Sequence, residues 1–120
     1  MTVQPVKVEA RDGMQGPAVR VLRISGALTY PNDHLKFLEL VRVETAPSVI
    51  LDLSGVTFCD SSGVGALMQI HNAFKRENRR LALAAINERA ALALRVAQVI
   101  PFFTIYVTVA DAEDALGPPP

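Results

Sequence analysis

The chain has 120 residues, half of them hydrophobic and a fifth charged, and its twelve basic residues balance twelve acidic ones. That is the composition of one globular domain with a core that needs no staples, not of a disordered or fibrous chain, and it sets up no field for drawing in nucleic acid. A single cysteine, Cys59, rules out an intrachain disulfide and argues against a cysteine-based metal site.

Val6, Val8 and Ala10 alternate with polar residues and predict a first strand, placed at a sheet edge by Pro5. The turn formers from Asp12-Gly13 to Gly16-Pro17 close a hairpin onto a second strand, Val19 to Ile24, which Ser25-Gly26 should stop. A helix follows, capped by Asn32 or Asp33. Its apolar residues Leu35, Phe37, Leu38, Leu40, Val41 and Val43 point nearly all round, so it is expected to touch a partner as well as the core. Pro47 precedes a buried strand, Ser48 to Leu53. A helix is predicted from Gly63 to Arg76, with Gly63, Leu67, Ile70 and Phe74 facing the sheet and Gly65, Gln69, Asn72 and Arg76 opposite. Asn78 is its left-handed stop, and Arg76, Arg79 and Arg80 should solvate its end.

Leu81 to Ile86 is the next buried strand, and Asn87 caps a short helix from Glu88 to about Gln98. Pro101 breaks the chain, Thr104 to Val109 is a strand, and Asp111 opens a last helix ending at Leu116. The tail from Gly117 to Pro120 is expected to be disordered, leaving residues 1–116 as one domain. The alternation in the second half predicts right-handed crossovers and parallel pairing. The fold class is therefore α/β: a mixed sheet of four to five strands, parallel in its second half and covered by about four helices. No signal-peptide core is present and no apolar run reaches the ~18 residues that span a bilayer, so a cytoplasmic location without membrane insertion is expected.

The chemistry concentrates where the third strand hands over to a helix, at Asp60-Ser61-Ser62-Gly63-Val64-Gly65. Free amides and the positive end of the helix dipole favour negative charge there. The segment suits ordinary capping first, or the carrying of a phosphate; the two are compatible. A hydrolase nucleophile elbow would need glycine where Asp60 stands. His34, in a capping turn, and His71, beside an apolar stripe, read as structural or solvated histidines rather than bases. Met68 occupies the third glycine position of a dinucleotide loop, and no Gly-Lys-Ser or Gly-Lys-Thr exists. The carboxylates are scattered. No cofactor, metal or catalytic residue is implied, and an enzyme is not expected. Cys59 reads as a small packed hydrophobe.

The run Val49-Ile50-Leu51-Asp52-Leu53-Ser54-Gly55-Val56-Thr57-Phe58-Cys59-Asp60-Ser61-Ser62-Gly63-Val64-Gly65 resembles the signature of the STAS domain, as found in bacterial anti-sigma factor antagonists. Val21 to Gly26 resembles the second strand of that family, and Pro101 to Leu116 its C-terminal strand and helix; the likeness covers about Val19 to Leu116. It implies the STAS fold and a protein switch, with Ser61 as phosphoacceptor, flanked by Asp60, which positions it, and by Ser62 and Gly63. Gly63 and Gly65 would let a partner approach the backbone. Val64, Gly65, Met68, Gln69 and Asn72, with Ser62, would belong to the docking face. The implied partners are an anti-sigma factor with serine kinase activity, bound when Ser61 is unmodified and released when it is phosphorylated, and a serine phosphatase that resets the switch. The family commonly has Gly-Glu-x-Asp in the loop beside the phosphoacceptor. Here Gly26-Ala27-Leu28-Thr29 lacks both acids, which leaves recognition by the kinase open. The alternative implied by the same family is a non-switching adaptor subunit of a lipid-transport ATPase or a signalling scaffold.

Overall fold

Apolar residues alternate along the strands and so supply two opposite faces of one sheet. The computed structural model describes residues 5–30 and 33–117. Its strands are β1 (Lys7–Gly13), β2 (Gly16–Leu28), β3 (Ser48–Cys59), β4 (Arg80–Ala84) and β5 (Thr104–Tyr106). Its helices are α1 (Asp33–Arg42), α2 (Ser61–Arg76), α3 (Glu88–Val96) and α4 (Val109–Leu116), with a 3₁₀ turn at Ile100–Phe102 around Pro101. The sheet order is β1-β2-β3-β4-β5. β1 pairs antiparallel with β2, and the other three pairings are parallel. This is the mixed α/β architecture read from the alternation of elements, with β1 at an edge.

Leu22 and Ile24 of β2, Leu51 and Leu53 of β3 and Leu83 of β4 join Phe37 and Val41 of α1, Leu67, Ile70 and Phe74 of α2 and Leu94 of α3 in the larger core. Val21, Ile50, Ala82 and Ala84 form the smaller one with Ala112 and Leu116 of α4. Helices α1 to α3 therefore cover one face and α4 the other. Leu35 of α1 and Val43, just past its end, remain exposed, at 53% and 79%.

Strand ends differ from the sequence reading in a way that matters for the site. β2 does not stop at Ser25-Gly26 but runs on to Leu28, and β3 runs past Leu53 to Cys59. The two extensions pair with each other, Gly26 opposite Val56 and Leu28 opposite Cys59, through two register shifts. Gly26 makes this possible: its φ is +93° and a Cβ would collide with the Pro5 carbonyl. Glycine here bends a strand rather than ending it.

Other boundaries move by a few residues. β4 ends at Ala84 rather than Ile86, where Ala85 turns left-handed at φ 54°. α3 ends at Val96 rather than Gln98, which is itself left-handed at φ 60°. β5 stops at Tyr106, short of Val109, and α4 starts at Val109 rather than Asp111 because Thr108 caps it, its Oγ1 accepting the Asp111 N–H at 3.0 Å. Asn87 does cap α3, accepting from Ala90 at 3.0 Å while donating to the Val56 carbonyl of extended β3. Asn78 stops α2 in the left-handed region at φ 56°. Of the two residues expected to cap α1, Asp33 is its first residue, and Asn32 lies outside the described residues, as do the tail prolines Pro118 to Pro120.

The expected solvated cluster at the end of α2 is also different. Arg79 lies 4.0 Å above the Phe74 ring and donates to the carbonyls of Ala46 (2.9 Å) and Glu44 (2.8 Å), so it pins α2 to the segment before β3. Arg80 donates to the Ala115 carbonyl at 3.1 Å.

Candidate functional site

Extended β2 and β3 end side by side, which delivers Asp60 and the residues after Leu28 to the C-terminal end of the parallel strands. The Asp60 N–H donates to the Leu28 carbonyl at 3.3 Å. Asp60 is the N-cap of α2 in extended conformation; its Oδ1 accepts the N–H groups of Ser62 at 2.9 Å and Gly63 at 3.1 Å. Its other oxygen, Oδ2, accepts the main-chain N–H of Tyr30 at 3.1 Å. The helix accordingly begins at Ser61, two residues before the predicted Gly63.

The cap leaves the serines to other uses. Ser61 is the first helical residue and exposed, and Ser62 is half-buried. Among the described residues no hydrogen bond engages either hydroxyl, because Asp60 already satisfies the first-turn amides. An anion on Ser61 would sit at the positive end of a 16-residue helix.

The remaining sequence-predicted residues divide. Gly65, Gln69 and Asn72 are exposed and continue with Ser61 and Arg76 along one stripe of α2, with Met68 half-buried beside them. Gly65 has open space around it. Val64 does not belong to that face: it is 5% exposed and sits in the larger core. The buried stripe of α2 is wider than the expected Gly63, Leu67, Ile70 and Phe74, and takes in Val64 and Ala66 as well. Gly63 is buried too, and an added Cβ would meet the Leu28 carbonyl and, at 2.8 Å, the Cys59 sulfur. Its missing side chain lets α2 close on β2 and β3; it does not open the backbone to a partner.

At the end of the neighbouring β2, Ala27 and Leu28 are fully buried, so position 27, one of the two lacking an acid, lies inside the core. Thr29 is half-buried, and its hydroxyl donates to Asp33 at 3.4 Å. Two aromatic side chains flank the site that sequence reasoning had not selected: Tyr30, 73% exposed, and Phe58, 51% exposed. Phe58 turns outward because the register shift after Val56 breaks the alternation of β3, leaving Thr57 and Phe58 both exposed, and no sequence signal marked it or Tyr30. His34 holds the Thr29 carbonyl with Nδ1 at 3.1 Å and stacks on Tyr30 at 6.2 Å, while His71 meets Phe103 edge-on at 5.3 Å. Both are structural contacts. Cys59 is buried and its thiol is pushed up to about 11 by burial and then by the charge of Asp60, which lowers its thiolate fraction.

The sequence matches the STAS domain family over residues 6–112. It is 26% identical over 118 residues to sulfate transporter 1.3 of Arabidopsis thaliana, a match covering 85% of this chain and 18% of that protein. The chain thus spans about a fifth of the length of that curated relative. Among solved structures, TM1081 of Thermotoga maritima, assigned as an anti-sigma factor antagonist, superposes with a TM-score of 0.73 at 19% identity, covering 92% of this chain and 93% of that one. The Bacillus cell fate determinant SpoIIAA, in its phosphorylated form, superposes at 0.67 with 16% identity, covering 92% and 99%. At these identities the likeness is one of fold. No helix among the described residues is long and apolar enough to cross a membrane.

Proposed function

The chain belongs to the STAS domain family, and from that premise we propose that it is an anti-sigma factor antagonist, a binding module rather than an enzyme. In its unmodified form it sequesters an anti-sigma factor with serine kinase activity, in the cytoplasm. Phosphorylation of Ser61 by that partner releases it, and a serine phosphatase restores the binding form. The observation that carries this reading is the exposed Ser61 at the start of α2, its hydroxyl left over by a cap that Asp60 completes alone.

The mechanism is electrostatic. A phosphate adds about −1.5 to −2 charges. At a helix N-terminus that charge is tolerated by the fold, but on the stripe Ser61, Gly65, Gln69, Asn72 it confronts any partner docked there. Asp60, adjacent in sequence, adds to the repulsion.

A second reading rests on a specific observation: the neutral segment Ala27 to Thr29 at the end of β2, with Ala27 fully buried, offers no acids beside Ser61. That favours a non-switching adaptor, a role to which the similarity to a transporter also lends support.

Pull-down against candidate anti-sigma factors with wild-type, Ser61→Ala and Ser61→Asp proteins separates the two. The switch requires retention by Ala and loss by Asp. Equal binding of both variants leaves the adaptor. Incubation with a candidate kinase and ATP should place the phosphate on Ser61; label on Ser62 alone contradicts the assignment.

A further inference from the structure

Away from Ser61, the C-terminal halves of α1 and α2 leave an open cavity of about 290 Å³ between them. Leu38, Val41 and Phe74 supply its apolar floor, and three arginines reach it from the ends of the helices and the chain beyond α2. The three are not equivalent. Arg79 is consumed by structure, lying on Phe74 and bonded to two carbonyls and to Glu77, the one acidic residue lining the cavity. Arg42 and Arg76 are exposed and enter no hydrogen bond or ion pair among the described residues. Two arginines without an ion-pair partner among the described residues therefore line one cavity with an apolar floor.

From this juxtaposition we propose that the cavity binds a small aliphatic carboxylate, its head group held by Arg42 and Arg76 and its chain lying on Leu38, Val41 and Phe74. Planar guanidinium groups match a carboxylate in geometry and charge, and the apolar floor rewards the chain with burial. The volume lies at the small end of ligand pockets, which limits the ligand to a short chain. Each arginine also stands in the last turn of its helix, where a cation offsets the helix dipole. That role explains the presence of each but not their convergence on one cavity. The proposal does not depend on Ser61.

The test is titration of ¹⁵N-labelled protein with octanoate, and with acetate and 1-octanol as ligands lacking the chain or the charge. Saturable shifts are expected at the amides of Leu38, Val41 and Phe74, with a dissociation constant of about 1 mM or below. Acetate and octanol should each bind about tenfold more weakly, and the Arg42→Gln, Arg76→Gln double variant should weaken octanoate about tenfold while leaving octanol unchanged. Equal binding of octanoate and octanol, shifts centred elsewhere, or equal binding by the double variant overturns the proposal. The ligand comparison is made on the wild-type chain, so it stands whatever the variant's stability.

Discussion

Asp60 and Tyr30 are joined across thirty residues of chain, the carboxylate Oδ2 accepting the Tyr30 main-chain N–H at 3.1 Å while Oδ1 caps α2. One side chain thereby sets both the start of the helix and the position of the loop beside Ser61. Asp60→Ala should lower stability by about 1–3 kcal/mol, the loss of a cap together with a charged hydrogen bond. Asp60→Asn keeps one acceptor oxygen and should fall between. Urea unfolding curves with unchanged slope would measure both.

Gly63 and Gly65, two residues apart on one helix, should respond to alanine in opposite senses. At Gly63 the new methyl meets the Leu28 carbonyl and the Cys59 sulfur, an overpacking cost of about 1–3 kcal/mol. At Gly65 it meets nothing, and the gain in helix propensity should stabilise by about 0.5–1 kcal/mol. Thermal unfolding of the two variants tests the contrast directly; a loss at Gly65 would contradict the open surface there.

Replacing Ser61 should leave the fold intact. Ser61→Ala removes no bond from the cap, and Ser61→Asp puts a negative charge at the helix start, worth about 0.3–1 kcal/mol in favour of folding at low salt. Both should unfold at or slightly above the wild-type midpoint, so that any loss of partner binding in Ser61→Asp reads as repulsion and not as unfolding.

Acid sensitivity should trace in part to Glu44. Burial by itself would raise this carboxyl. The hydrogen bond from Arg20 at 3.0 Å and the N–H groups of Ala46 and Thr45 outweigh burial and hold it below its ordinary value of 4.5. A group depressed in the folded state stabilises fully above its unfolded pKa, and that contribution is lost as the pH falls through the folded one. Stability should therefore decline from about pH 4.5 downward, with a shallower decline in Glu44→Gln. Identical slopes for the two proteins would exclude this role.

Cys59, with its thiol near 11 rather than 9.0, should resist disulfide reagents at pH 8 by about 100-fold relative to an unperturbed thiol, on thiolate fraction alone. Full reactivity should return in denaturant, which a timed reaction with a chromogenic disulfide would follow.

The periodicities that depend on near neighbours were legible from residues alone. Alternation in Val19 to Ile24, the run Val49 to Leu53 and the stripe Leu67, Ile70, Phe74 each belong to a single element whose burial follows from its own repeat. Asp60 and the serine pair could be selected the same way, because a strand-to-helix junction and its cap are local events, whereas Ser61 as acceptor and Gly65 as partner surface rest on the likeness to the family signature. What neighbours in space decide was not legible. Gly26 looked like a stop and is a bend, since β3 supplies pairing partners beyond it and Pro5 closes over it. Val64 looked like part of a docking face and is core, because the sheet beneath α2 is broad enough to take a wider stripe.

By itself, then, the sequence determined the order of elements, the α/β class and the junction at which Ser61 lies, which rest on hydrophobic period and local backbone chemistry, and the family, which rests on the likeness of residues 49–65 to its signature. The tertiary structure alone decided that Asp60 completes the cap and grips Tyr30, that Gly63 faces inward, and that Arg42 and Arg76 share a cavity while Arg79 is spent on packing. These are contacts between segments far apart in the chain, and the periodicity of any one segment carries no information about what another will press against it.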